Sequence, residues 1–112
     1  MADCLFCKMV RGEIKPKVEY EDSEILAFHD INPQAPVHVL VIPKRHIEKV
    51  EALEAGDIGL AGKLLYQAKQ IAVQRGWQDY RIVFNNGAEA GQSVFHLHLH
   101  LLSGRRMHWP PG

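Results

Sequence analysis

The chain has 112 residues, 46% of them hydrophobic, and its thirteen basic residues balance thirteen acidic ones. That length suits one domain spanning 1–112 around a single core, and an even charge with no basic block argues against a general nucleic-acid binder and for a small ligand. No run approaches the roughly 20 apolar residues of a membrane span, and the amino terminus lacks a basic segment leading into an apolar core, so a cytoplasmic protein with no membrane partner is expected.

Cys4 and Cys7 stand three positions apart, a poor basis for a stabilising disulfide framework in a chain without an export signal. The spacing from Cys4 to Arg11 predicts a short helix ending at Gly12, followed by a turn around Lys15-Pro16-Lys17. From Val18 the pattern alternates. Ile25, Ala27 and His29 share one side, and Asp30-Ile31-Asn32-Pro33 closes the run with turn chemistry, which reads as a hairpin. Val37 to Ile42 forms an apolar, β-branched strand between Pro36 and Pro43, with His38 as its one polar member.

The period then changes. Ile58, Ala61, Leu64, Leu65, Ala68, Ile71 and Ala72 recur at helical intervals behind a capping Asp57, and Gly76 supplies the stop. A strand over Tyr80–Phe84 follows, then a glycine-bearing connection from Asn85-Asn86-Gly87 to Gly91-Gln92-Ser93, then His96-Leu97-His98-Leu99-His100-Leu101-Leu102. Strands, one long helix and two more strands favour an α+β domain with an antiparallel sheet. The tail from Arg105 to Gly112 is too proline-rich to extend either element, and Trp109 within it suits docking on another surface.

If the last run is a strand, His96, His98 and His100 project from one face while the leucines cover the other. Such a row admits two chemistries. A neutral imidazole is a competent nucleophile near neutral pH and can carry a phosphoryl group while its neighbours bind oxygens or move protons. Alternatively, two of the rings chelate a metal that activates water. The preceding Gly91, Gln92 and Ser93 offer backbone and hydroxyl donors suited to an anionic phosphate, although the same tripeptide serves as an ordinary turn.

The run His96-Leu97-His98-Leu99-His100-Leu101-Leu102 resembles the His-φ-His-φ-His-φ-φ motif of the histidine-triad (HIT) superfamily. Ala27-Phe28-His29-Asp30-Ile31, Pro33-Gln34-Ala35-Pro36-Val37-His38, Val41-Ile42-Pro43-Lys44, Gly91-Gln92-Ser93-Val94-Phe95 and Met107-His108-Trp109-Pro110-Pro111-Gly112 extend the likeness to its Hint branch of purine nucleoside phosphoramidases, over nearly the whole chain. The resemblance implies a homodimer whose antiparallel sheets join across the interface, each subunit having one long helix and a short amino-terminal one. It also implies a purine nucleotide as ligand and no cofactor for the chemical step. On this likeness His98 attacks the α-phosphorus of an adenosine phosphoramidate, giving a nucleotidyl-histidine that water hydrolyses to AMP. His38 and His100 share phosphate binding and proton transfer, and Ser93 and Asn85 bond the phosphate side within a Gly91–Val94 lead-in. Asp30 holds the ribose, Phe28, His29 and Ile31 line the base pocket, and Trp109 reaches the neighbouring subunit.

By residue type alone, Asp30 and Asn85 serve equally as turn residues, Phe28 and Ile31 as core, and His38 as a bonded interior histidine. Relatives that bind zinc pair a Cys-x-x-Cys with a histidine after Ile-Pro-Lys and with the first triad histidine; here those are Cys4, Cys7, His46 and His96, a set able to close a structural zinc site. Placing His96 on the metal while His98 stays free requires a twist or bulge in the strand. The rival readings are hydrolysis of dinucleoside polyphosphates, nucleotidyl transfer, a metallohydrolase centre, and a regulatory module that binds nucleotide with incidental turnover.

Overall fold

The computed structural model describes residues 4–112. The alternation after Val18 becomes β1 (Val18–Glu21), β2 (Ile25–His29) and β3 (Val37–Pro43), and the later strands are β4 (Tyr80–Phe84) and β5 (Leu99–Ser103). All neighbours pair antiparallel in the order β1-β2-β3-β5-β4, so β3 and β5 lie inside the sheet, with Leu40 opposite His100 and His38 opposite Leu102. A central pair of strands is the most rigid place to mount reacting side chains.

The period of two divides the sheet into two apolar faces. Ile25, Ala27, Val39, Val41, Leu99 and Leu101 pack on Leu64, Ala68, Ile71 and Ala72 of α2 (Ile58–Arg75). Leu26, Phe28, Leu40 and Ile42 face the other way, against Phe6 of α1 (Leu5–Val10). Fully buried side chains such as Leu64 and Ile25 each contribute about 1.5–3 kcal/mol by leaving water, which holds α2 in place despite Gly59 and Gly62 in its first turns.

Gly76 ends α2 at φ 75°, its N–H reaching the carbonyls of Ala72 and Val73. Asp57 acts one turn earlier than its position before the long helix suggested. It caps a 3-10 turn over Ala55–Asp57, accepting from the Glu54 N–H at 2.9 Å, and pairs with Arg45. After β5, Gly104 sits at φ +95°, where a Cβ would come within 2.8 Å of the Pro36 ring, so the chain crosses the start of β3 only with glycine there. No helix among the described residues is long and apolar enough to cross a membrane.

The histidine run is not one strand. The ladder begins only at Leu99, so of the three rings only His100 stands on regular β structure. The physical reason lies in Leu97, whose N–H is taken by the Ile47 carbonyl at 2.6 Å, outside the sheet. The side chains still alternate: Leu97, Leu99 and Leu101 pack in the α2 cluster, while the rings of His96 and His98 meet Phe6 on the other face.

Candidate functional site

His38 on β3 and His100 on β5 meet on the sheet face opposite α2, Nε2 to Nδ1 at 2.9 Å. The backbone N–H of Gln34 donates to His38 Nδ1 at 3.0 Å, so the proton of neutral His38 sits on Nε2 and is donated to His100. His100 Nδ1 is thereby an acceptor and its proton is on Nε2. That atom is buried without a hydrogen-bond partner. A buried, unsatisfied donor on a strand end is costly and marks a place where a ligand oxygen or nitrogen belongs.

His98 lies beside this pair, its ring 4.8 Å from that of His100. Its Nδ1–H donates to the His96 carbonyl at 2.7 Å, which leaves the lone pair on Nε2. The residue is 6% exposed, covered on one side by the edge of Phe6 at 5.2 Å. Burial holds His38 and His98 below the ordinary histidine range, and burial with the neighbouring His98 and His38 pulls His100 to about 4. All three rings are neutral near pH 7, the form in which an imidazole can act as a nucleophile.

Asp30 follows β2 and comes to the same face, Oδ2 3.5 Å from His38 Nε2, while its Oδ1 accepts from the Asn32 N–H at 2.9 Å. Asp30, His38 and His100 bring potential metal-ligating atoms within 4.8 Å of one another, but the His38–His100 hydrogen bond occupies the nitrogens that face each other. The geometry favours proton transfer over chelation. Phe28 is a core residue under α1, its ring centroid 5.3 Å from that of Phe6, whereas Ile31 is 94% exposed. His29 is turned to the helix side of the sheet, where its Nε2 meets Glu19 at 2.8 Å, so the structure does not bring it to the face of the other histidines. Alternation with Ile25 and Ala27 requires this.

In the lead-in loop, the expected donors are partly spent. The Gly91 N–H goes to the Ala88 carbonyl and that of Gln92 to the Gly87 carbonyl, both at 3.0 Å. The Gln92 amide is buried and bonds Gly87, Glu48 and Val94, so it braces the loop. Gly91 at φ +100° passes Asn85, whose Nδ2 would lie 3.6 Å from a Cβ there. Ser93 is exposed, and Val94 is half-buried against the Phe6 cluster. Trp109 is 82% exposed, and the tail is held by Arg81 donating to the His108 carbonyl at 2.8 Å. An open groove of about 800 Å³ lies beside that tail, lined by Trp77, Tyr80, Arg81, Arg105 and Met107 among others, and contains no histidine.

Cys4, which caps α1, and Cys7 within it meet His46 and His96. Cys4 Sγ is 3.3 Å from His96 Nδ1, Cys7 Sγ is 3.3 Å from His46 Nδ1 and 3.6 Å from His96 Nδ1, and the two Nδ1 atoms are 3.2 Å apart. A tetrahedral zinc with bonds of about 2.3 Å to sulfur and about 2.0–2.1 Å to nitrogen sets such edges at roughly 3.3–3.8 Å. The donor set fits that ion. His96 Nε2 donates to the Pro43 carbonyl at 2.8 Å, which turns the Nδ1 lone pair toward the thiols. Burial and Cys4 push the Cys7 thiol up, so a cation would supply what holds it as thiolate.

No role at the site is read from the sequence for Phe6, Gln34 or Pro43. Phe6 reads as an ordinary core residue, and the other two act through backbone atoms that have no residue-type signature.

The family model described as "Scavenger mRNA decapping enzyme C-term binding" matches residues 3–108. The chain is 53% identical over 111 residues to an uncharacterized HIT-like protein of Synechocystis sp., covering 98% of this chain and 97% of that protein. It is 50% identical over 111 residues to a 14 kDa zinc-binding protein of Zea mays, covering 96% and 87%. Among solved structures it is similar to a HIT family hydrolase from Legionella pneumophila Philadelphia 1, with a TM-score of 0.95, 50% identity and coverage of 98% and 100%. A HIT family hydrolase from Clostridium thermocellum gives 0.93, 41% identity and 96% of each chain.

Proposed function

Because the chain belongs to the HIT family, we propose that it is a nucleotide hydrolase that opens P–N bonds of purine nucleoside phosphoramidates and releases AMP and an amine. The observation that supports this reading most directly is the His38–His100 bond with its orphaned, buried His100 Nε2 beside a nucleophile-ready His98.

In this reading His98 Nε2 attacks the α-phosphorus, forming a P–N bond to the imidazole as the bond to the leaving nitrogen breaks. With the anionic substrate bound, the His38–His100 pair, joined by the 2.9 Å contact, takes up one proton from solvent; the departing amine takes a proton from His100 Nε2, and the pair returns to its neutral form. Water then attacks the phosphorus, the bond to His98 breaks, and the proton lost by water returns to the His100 side. An imidazole at about 4 is a strong acid once charged, and the bound phosphate anion raises it toward the working range. Asn85, Ser93 and the N–H groups of Ser93 and Val94 face the phosphate, Gly91 and Gln92 shape the loop that presents them, and Asp30 takes the ribose hydroxyls. Ile31 and Phe28 border the base, and His29 acts from behind the sheet.

The same reading makes the protein a cytoplasmic homodimer of one HIT domain over residues 1–112. Ile58, Leu65, Tyr66 and Val73 recur at seven- and eight-residue intervals on the exposed side of α2, and Phe84 is exposed on the edge strand β4. An apolar stripe beside an open sheet edge suits a second copy. In that assembly Trp109 reaches the partner's histidines. Cys4, Cys7, His46 and His96 would hold a structural zinc, which when bound pins α1 to the segment before β5 and takes no part in phosphoryl transfer.

Substrate profiling tests the activity. Fast release of amine from adenosine 5′-phosphoramidate with slow cleavage of dinucleoside polyphosphates is the expected result. The reverse order makes the protein a polyphosphate hydrolase, and tight AMP binding without turnover of either makes it a binding module.

A further inference from the structure

Behind the sheet, a charged cluster has no part in the phosphoryl chemistry. Glu19 is the extra residue of a bulge in β1: Val18 opposes Phe28, and Tyr20 already opposes Ala27. Its side chain is only 9% exposed, yet it accepts three hydrogen bonds, from Arg75 Nε at 2.6 Å, Arg75 Nη2 at 2.7 Å and His29 Nε2 at 2.8 Å. A two-pronged guanidinium contact fixes direction as well as charge. Arg75 is the last residue of α2, with its guanidinium 5.7 Å from the Trp77 ring. Three elements thus converge on His29, the last residue of β2.

The segment beyond His29 lies on the surface and is fastened at its far end by Gln34, whose N–H donates to His38 and whose carbonyl accepts from Arg105. Ile31, Asn32, Pro33 and Gln34 are all exposed. Between them and the strand stands Asp30, whose N–H is tied to the His38 carbonyl at 2.9 Å and whose carboxylate lies 3.5 Å from His38 Nε2. His29, the residue before Asp30, is thus one of the two anchors, with the Asp30 N–H to the His38 carbonyl, that set where Asp30 emerges on the opposite face.

We infer that Glu19 and Arg75 are positioning residues for ribose recognition, clamping His29 on the helix side so that Asp30 is presented to the sugar on the histidine side. This rests on the reading in which Asp30 holds the ribose hydroxyls. An ion pair that served stability alone would not distinguish one sugar from another.

The test compares KM and kcat for adenosine 5′-phosphoramidate and its 2′-deoxy analogue in the full chain. The double variant Glu19→Leu/Arg75→Leu removes both charges without stranding either. It should raise KM for the ribo substrate about fivefold to tenfold while the deoxy KM and both kcat values stay within about twofold. Arg75→Lys, which keeps charge without the fork, should fall between. Equal changes for both sugars, or none, in a folded variant overturn the inference; Glu19→Gln provides the same comparison if the double variant does not fold. Asp30→Ala separates the two levels. If it abolishes ribose preference while the double variant retains it, the clamp alone is wrong. If wild type and Asp30→Ala treat the sugars alike, the ribose role of Asp30 fails and the clamp falls with it.

Discussion

His38 and His100, delivered by neighbouring strands β3 and β5, form a one-way hydrogen bond whose direction is dictated by the Gln34 N–H on the far side of His38. The consequence is a donor at His100 Nε2, next to the lone pair of His98.

Breaking that order should hurt most where the leaving group needs a proton. His38→Ala is expected to lower kcat for an adenosine phosphoramidate of an alkyl amine by about 10²–10⁴-fold, the usual span of general acid catalysis. An AMP ester of 4-nitrophenol, whose leaving oxygen departs as the anion, should lose far less. Equal losses on both, measured by steady-state kinetics, would show that His38 serves the fold or the phosphate and not the leaving group.

The depressed His100 ties stability to pH with a definite sign. Its folded-state value is about 4 because burial, with His98 and His38 beside it, disfavours the cation. The unfolded chain, near the ordinary value of about 6.5, binds the proton first. The stability from keeping this ring neutral is present above about 6.5 and is lost as pH falls toward 4, on the order of 2 kcal/mol over the window. Urea unfolding at pH 7.5, 5.5 and 4.5 should show a shallower decline in His100→Gln than in wild type; parallel curves would contradict this.

Much of this arrangement is legible in the residues themselves. Period-two runs mark β2, β3 and β5, the helical period marks α2, and three imidazoles two apart announce chemistry. The Cys-x-x-Cys, His46 and His96 meet where the resemblance placed them. The strand's late start at Leu99 is not legible, because it depends on the Leu97 N–H finding the Ile47 carbonyl, and backbone partners across 50 residues leave no mark in residue type. Gly91 and Gln92 look like phosphate donors for the same reason: their N–H groups are spent on turn carbonyls that only the folded loop defines. His29 is instructive. It shares the side of Ile25 and Ala27, as their alternation predicts, and there its Nε2 meets Glu19.

Metal content provides a separate check. Elemental analysis of the purified chain should find one zinc per chain, and Cys4→Ser/Cys7→Ser should find none. The metal-free protein should unfold at lower temperature, by about 4–8 °C for each kcal/mol of stabilisation lost. A chain that purifies without metal, and whose melting temperature does not respond to added zinc, would leave the four residues as an ordinary buried cluster.

The helix stripe can be tested by mass. Wild type should sediment at twice the 12.7 kDa of one chain. Tyr66→Asp/Val73→Asp, which puts carboxylates into the exposed apolar face, should sediment as a monomer and lose activity if Trp109 completes the partner's site. A double variant that stays dimeric places the interface elsewhere.

The most direct test is intact-protein mass spectrometry after millisecond mixing with an adenosine phosphoramidate, followed by peptide mapping. A transient increase of one AMP, located on His98 and absent in His98→Ala, is the predicted result. Full turnover with no adduct at early times, or with His98→Ala as active as wild type, would contradict the assignment of His98 as nucleophile.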